Sequence, residues 1–211
     1  MLSSVGHDLR IPLSAIGGAA QVLLDESREV APHDRRELLG TIRDEGERLS
    51  RLVTNLLDLT RIESGVLAPK KEWCPVDEVF ESALGRLRKR VGARTVTIDV
   101  PEVVLEVHGD PTLLEQAIVN LVDNALKHTP AASALTLWAR REGADAVLGV
   151  WDRGPGVKAE ESARVFERFY RSADSHGVEG TGLGLAVVDA IARTHGGSAR
   201  VRAREGGGAR F

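Results

Sequence analysis

A chain of 211 residues that is 42% hydrophobic and 28% charged is long enough for one good core plus a smaller element. Its formal net charge of −3, with Lys and Arg scattered among acids, gives no basis for nucleic-acid binding, and no apolar run nears the ~20 residues that span a bilayer. The lone Cys74 excludes an intrachain disulfide and a cysteine-built zinc site, as suits a reducing cytosol, and no signal peptide is visible.

From about Ser3 to Asp25 the apolar positions Leu9, Leu13, Ile16, Ala20, Leu23 and Leu24 recur at spacings of three and four, which predicts an amphipathic helix. It carries Gly6-His-Asp-Leu-Arg-Ile-Pro-Leu13 near its start. Imidazole is a nucleophile near neutral pH, so His7 can accept a phosphoryl group, and the adjacent Asp8 can take its ring proton or fix its tautomer. Pro12 crowds the carbonyl of Asp8 and is expected to bend the helix beneath the histidine. The plainer alternative is a surface histidine near a helix start. A polar break containing Pro32 follows. Asp34, with Glu37 three residues on, reads as the N-cap of a second helix running to about Glu63, with Leu38, Ile42, Leu49, Leu52, Leu56 and Leu59 on a heptad stripe and Gly65 as the stop. The apolar stripe of this hairpin is too wide for two helices alone, so a four-helix bundle formed by dimerisation is expected; a monomeric hairpin packed on the following domain is the alternative.

Residues 1–66 thus form the hairpin, 67–73 a linker and 74–211 a second domain. In that domain Val76 to about Lys89 reads as a helix whose basic run, Arg86 to Arg90, is its solvated end, and Thr95–Val100 reads as a strand. Asp110 caps a long helix over Pro111–His128. Strands are expected at Leu135–Arg140 and Ala146–Asp152, then a Gly-rich stretch, a helix over Leu183–His195 and a strand near Ser198–Arg204. The result is an α/β sandwich with helices on one face of a mixed sheet. A further strand is expected to begin at Ala209-Arg-Phe211, and His7 lies close to Met1, so the chain reads as a piece of something longer.

Three motifs in the second domain point to one ligand. In Asn120-Leu-Val-Asp-Asn124-Ala-Leu-Lys-His128 the two asparagines share a helix face, where an amide oxygen can hold Mg²⁺ without repelling phosphate, and Lys127 is placed for phosphate oxygens. Solvent-facing or capping asparagines are the plain alternative. In Trp151-Asp152-Arg-Gly154-Pro-Gly156 a carboxylate at a strand end can accept from an exocyclic amine such as adenine's, and the glycines let a ring approach; a simple β-turn satisfies the same pattern. Gly180-Thr181-Gly182-Leu183-Gly184 leads into a helix, where backbone N–H groups suit a polyphosphate. A dinucleotide fold uses similar glycines, but no strand precedes these.

Together with Val165-Phe-Glu-Arg-Phe-Tyr-Arg171, these segments stand in the order of a histidine box, asparagine box, first glycine box, Phe-containing box and second glycine box, covering nearly the whole chain. The chain therefore resembles the transmitter region of a two-component sensor histidine kinase. Within that family Arg61-Ile-Glu-Ser-Gly65 through Lys70-Lys-Glu-Trp73, Ser82-Ala-Leu84 and Val150-Trp-Asp-Arg-Gly-Pro-Gly156 resemble the potassium-responsive KdpD-type kinases. The resemblance implies an α+β chain: a dimeric four-helix bundle followed by an ATP-binding sandwich of the histidine kinase, gyrase and Hsp90-like type. It implies His7 as the phosphorylated residue, Asp8 as its base, Asn124 as the Mg²⁺ ligand, Asn120 and Lys127 near the phosphates, and Asp152 reading adenine beside Gly154 and Gly156. His128 would stack near the adenine. Gly180, Thr181, Gly182, Leu183 and Gly184 would close on the phosphates. A mobile lid between Val157 and Glu179 would hold Phe166, Phe169, Tyr170 and Arg171, the last contacting phosphate.

Related gyrase-like ATPases carry a glutamate base where this chain has Asn120, so the γ-phosphoryl group is expected to go to imidazole, not water. The partner implied is the receiver domain of a response regulator, with potassium transport as the controlled process; a catalytically silent dimeric scaffold is the alternative. The expected location is the cytoplasmic part of a membrane-anchored sensor, the fragment itself touching no membrane. Relatives often carry Thr or Asn four residues after the histidine to orient the water that dephosphorylates the regulator, and Ile11 stands there.

Overall fold

Two helices begin the chain, α1 over Leu2–Leu24 and α2 over Pro32–Glu63. In this computed structural model the described residues are 2–25, 27, 29–64, 69–101, 104–172, 180–203 and 207–211, without the side chains of 2–5, 7, 8 and 63. The chain divides into two compact units, Met1–Asp58 and Leu59–Phe211. In the first, α1 runs unbroken through Pro12, whose ring is buried. The sheltered positions are Leu9, Pro12, Ala15, Ile16, Ala19, Ala20, Val22 and Leu23, while Leu13 and Leu24 are 53% and 79% exposed. The expected stripe therefore merged two arcs, because spacings of three and four also fit residues one position beside the sheltered face.

Helix α2 starts at Pro32: the carbonyl of Ala31 accepts from Arg35 N–H at 2.9 Å. Proline at the first helical position loses only an amide that has no helical partner. Asp34 is therefore not the cap but a first-turn acid that complements the helix dipole. The expected α2 stripe is half-buried or buried at Leu38, Ile42, Leu49, Leu52, Leu56 and Leu59, with Leu39, Val53 and Leu57 exposed beside it. Gly65 lies outside the described residues.

The second unit has a two-stranded antiparallel sheet of β1 (Glu72–Pro75) and β3 (Glu106–Gly109), and a five-stranded sheet. The latter joins β2 (Val96–Asp99), β4 (Leu135–Glu142), β5 (Asp145–Trp151), β7 (Ala209–Arg210) and β6 (Arg202–Ala203) in that order; β2 and β4 are parallel and the other pairs antiparallel. Strands β4 and β5 meet at Glu142 and Asp145 across a two-residue turn, and Gly143 supplies the left-handed φ of 64° that such a turn demands. On β4, Leu135, Leu137 and Ala139 point into one core with Phe80 of α3 (Val76–Val91), Ile118, Leu121 and Val122 of α4 (Pro111–His128), and Val188 of α5 (Gly184–Thr194). Trp138, one residue out of phase, lies on the opposite sheet face, where Arg210 stacks 3.9 Å from its ring.

Several sequence expectations change. Glu72 and Trp73, expected in the linker, are strand, and Lys70 already donates its N–H to Asp110. Of the strand expected near Ser198–Arg204, Arg202–Ala203 is strand among the described residues, and the further strand expected at the chain's end is Ala209–Arg210. The basic end of α3 is also more than a solvated run, since Arg86 bonds Glu115 at 2.8 Å and Arg90 pairs with Asp123, both on α4.

Candidate functional site

Helix α4 carries the asparagine motif, and both its ends are fixed by side chains. The Asp110 carboxylate accepts from Thr112 and Leu113 N–H at 3.0 and 3.2 Å, and its second oxygen accepts from Lys70 N–H at 2.9 Å. Asp110 N–H donates to His195 Nε2, so that ring carries its proton on Nδ1 and donates to the Ile191 carbonyl at 2.8 Å. At the other end Arg94 donates to the carbonyls of Leu126 and Thr129 and to the Thr129 hydroxyl, closing carbonyls that a helix C-terminus leaves open. These contacts hold α4 in register with the start of β1 and the end of α5.

Asn120 is 9% exposed, and its Nδ2 has no hydrogen-bond partner among the described residues. Its Oδ1 lies 3.6 Å from where a Cβ on Gly184 would stand, so the side chain faces the first turn of α5. Asn124, one turn on, is half-buried. Lys127 Nζ lies 2.7 Å from Asp123 Oδ2, and Arg90 closes on the other oxygen, so this lysine is engaged by an acid on its own helix. Sequence spacing placed it for phosphate without revealing that acid's hold. His128 is half-buried, and burial, then the positive charge of Lys127, hold its imidazole below its ordinary range; Asp152 opposes and Arg171 adds to the lowering. His128, Lys127, Asp152 and Arg171 are therefore electrostatic neighbours.

Asp152 follows β5 and is 4% exposed. Its Oδ1 accepts from Gly154 N–H at 2.8 Å and Ala209 N–H at 3.1 Å. A Cβ on Gly154 would come within 2.7 Å of the His128 carbonyl, which explains glycine there, and Gly156 has φ 79°. Gly208, with φ 98°, would put a Cβ 2.1 Å from the Asp152 carbonyl. The role of Gly208 in letting β7 reach Asp152 was missed, although a run of three glycines marked it.

Gly180 is open around its missing Cβ, whereas a Cβ on Gly182 would meet the Phe169 backbone at 2.7 Å. Phe169 itself takes a left-handed φ of 61° and donates its N–H to the Gly182 carbonyl at 2.9 Å. Thr181 Oγ1 lies 3.4 Å from Leu183 N, Leu183 is fully buried, and Gly184 opens α5, whose first amides are of the kind that receive anions. Between the glycine motifs, the described part of the expected lid has two 3₁₀ turns, Ala159–Glu161 and Arg164–Phe166, with Val165 and Phe166 packed on the core. Tyr170 donates to Glu161 at 2.8 Å, which raises its phenol above the ordinary range, and exposed Arg171 follows. Residues 173–179 of that lid lie outside the described residues.

On α1, His7 and Asp8 are helical, and their side chains lie outside the described residues. The second unit carries features that suit a nucleotide: a buried amide donor on Asn120 with no partner among the described residues, facing the N-terminus of α5, and a buried carboxylate, Asp152, beside glycines where a Cβ would collide. Among the described residues no helix is long and apolar enough to cross a membrane.

Two family models match the chain. A family model described as histidine kinase-, DNA gyrase B-, and HSP90-like ATPase matches residues 109–211, and one described as His Kinase A (phospho-acceptor) domain matches residues 1–65. The chain is 38% identical over 212 residues to Sensor protein KdpD of Escherichia coli, covering 100% of this chain and 23% of that protein. It spans about a quarter of the length of the curated KdpD relatives it matches. Among solved structures, the mycobacterial sensor histidine kinase MprB is 32% identical with TM-score 0.58, covering 66% of this chain and 93% of that one. The Acinetobacter baumannii histidine kinase AdeS is 26% identical with TM-score 0.74, covering 97% of this chain and 93% of that one.

Proposed function

The chain belongs to the sensor histidine kinases, and on that premise we propose that it transfers the γ-phosphoryl group of ATP to His7 and then to an aspartate of a response regulator. The observation that supports this reading is Asn120 of the asparagine helix, its Nδ2 buried with no partner among the described residues and its Oδ1 beside Gly184 at the start of α5.

In this reading Asp152 accepts from the adenine amine, held in place by Gly154 and Ala209 N–H on its Oδ1. Asn124 contributes its amide oxygen to Mg²⁺, which neutralises phosphate charge when bound, and the amides at Gly182–Gly184 with Arg171 receive phosphate oxygens. No carboxylate stands at position 120, so no side chain there activates water. A ring nitrogen of His7 forms the N–P bond while the bond from the γ-phosphorus to the bridging oxygen breaks; ADP leaves, and Asp8 takes the ring proton.

The hairpin serves as the dimerisation and receiver-docking element, and the α/β unit, which includes β1 from Glu72 on, as the ATP-binding element. Likeness to KdpD proteins supports a role in a potassium-responsive system and a place on the cytoplasmic side of a membrane-anchored sensor. Replacing Asn124 by alanine tests the site. Mg-ATP affinity, followed by displacement of a fluorescent nucleotide, is expected to fall at least about a hundredfold, with the thermal unfolding midpoint little changed. Unchanged affinity refutes the assignment of Asn124.

A further inference from the structure

Glu161 closes the first 3₁₀ turn after β5 and is the hub of the described lid. Its Oε1 accepts from Tyr170 Oη at 2.8 Å and from Ser172 Oγ at 2.9 Å, and Ser172 Oγ also lies 3.0 Å from Oε2. A carboxylate that accepts two hydroxyls makes charge-assisted bonds, which are stronger than neutral ones. The guanidinium of Arg164 sits 4.6 Å above the Tyr170 ring and covers the other side of that anchor. One residue before Tyr170, Phe169 is tied to the glycine motif through Gly182 and adopts a backbone conformation that costs energy for a side-chain-bearing residue.

The two hydroxyls held by Glu161 flank Arg171. With both neighbours bonded to Glu161, the backbone that carries Arg171 is fixed on either side of it. Phe169, two residues before Arg171, is bonded to the Gly182 carbonyl, so the same backbone is fixed beside the glycine motif that leads into α5, and the charge of Arg171 also acts on His128. We propose that Glu161 is a positioning residue that, by clamping Tyr170 and Ser172, presents Arg171 to the phosphates of the bound nucleotide. The inference rests on the nucleotide-site reading above. It also accounts for an acid held beside a site for a polyanion, since Glu161 is occupied by two donors.

The test is a double-mutant cycle on the whole chain, with ATP and adenosine affinities measured by displacement of a fluorescent nucleotide. Arg171→Ala is expected to weaken ATP about tenfold and leave adenosine unchanged, because only ATP offers phosphates. Glu161→Ala is expected to give the same ATP-selective loss, and the double variant to bind ATP no more weakly than Arg171→Ala alone. Additive losses, equal loss of ATP and adenosine, or an ATP affinity within about twofold of the unsubstituted protein would overturn the proposal. Should Glu161→Ala fail to fold by circular dichroism, Glu161→Gln takes its place in the cycle under the same criteria, with a smaller ATP-selective loss of about threefold because an acceptor oxygen remains. Failure of the unsubstituted protein to bind ATP would overturn the nucleotide site along with this inference. Normal ATP binding with no effect of Arg171→Ala would overturn this inference alone.

Discussion

His128 is where burial and neighbouring charge act on one titratable group. Burial and Lys127 hold its folded-state value below the ordinary 6.5, so in the unfolded chain it takes up a proton at a higher pH than in the folded one. The unfolded state then binds more protons in the interval below 6.5, and folding stability is lost as pH falls through the depressed folded value. His128→Gln is expected to show a shallower fall of the denaturant midpoint from pH 7 downward than the unsubstituted protein; parallel curves would contradict this. Ile11 gives a second prediction at this scale. It is 45% exposed, and its alkyl side chain cannot hold a water. Ile11→Thr is expected to speed dephosphorylation of the cognate phospho-regulator, by up to about a hundredfold if water orientation is what the site lacks, without raising labelling of His7. An unchanged dephosphorylation rate removes that role from position 11. Asp152, Gly154 and Gly182 could be singled out from sequence because the chemistry sits in short contiguous motifs. Glu161 could not, because its partners Tyr170 and Ser172 are brought to it by folding.

Among elements, α4 was the most legible. Asp110-Pro111 states where it begins, an uninterrupted apolar period carries it, and its bounds coincide with expectation. The cap does more than spacing could reveal, since Asp110 also binds Lys70 N–H and its own N–H meets His195. Asp110→Ala strands two α4 amides and the Lys70 amide together. The expected cost is about 2 kcal/mol in unfolding free energy, read from denaturant titration at constant slope, and a loss below about 0.5 kcal/mol would contradict the hub. Strands β1 and β3 escaped the sequence reading because each has four residues and β1 ends in proline, a residue that argues against strand. On α1, Leu13 and Leu24 are exposed within the single chain. Periodicity marks apolar residues, while exposure in the chain depends on which arc the neighbouring helix covers.

The chain is two units, a helical one bearing His7 and an α/β one bearing the residues proposed for the nucleotide site. On the helical unit Leu13, Leu24, Leu39, Val53 and Leu57 remain exposed, as a hairpin that completes its core by pairing with a second copy requires. Sedimentation at micromolar concentration is expected to give a dimer, and Val53→Lys with Leu57→Lys to give a monomer that binds ATP as before; a monomeric unsubstituted chain would contradict the bundle. The central claim is that the second unit phosphorylates His7 of the first. Incubating the protein with γ-labelled ATP and Mg²⁺ and testing the label for acid lability and alkali stability addresses it most directly. The account predicts such a label on the unsubstituted protein and none on His7→Gln, which still binds ATP; label that persists in His7→Gln, or an unsubstituted protein that binds ATP yet takes up no label, would contradict it.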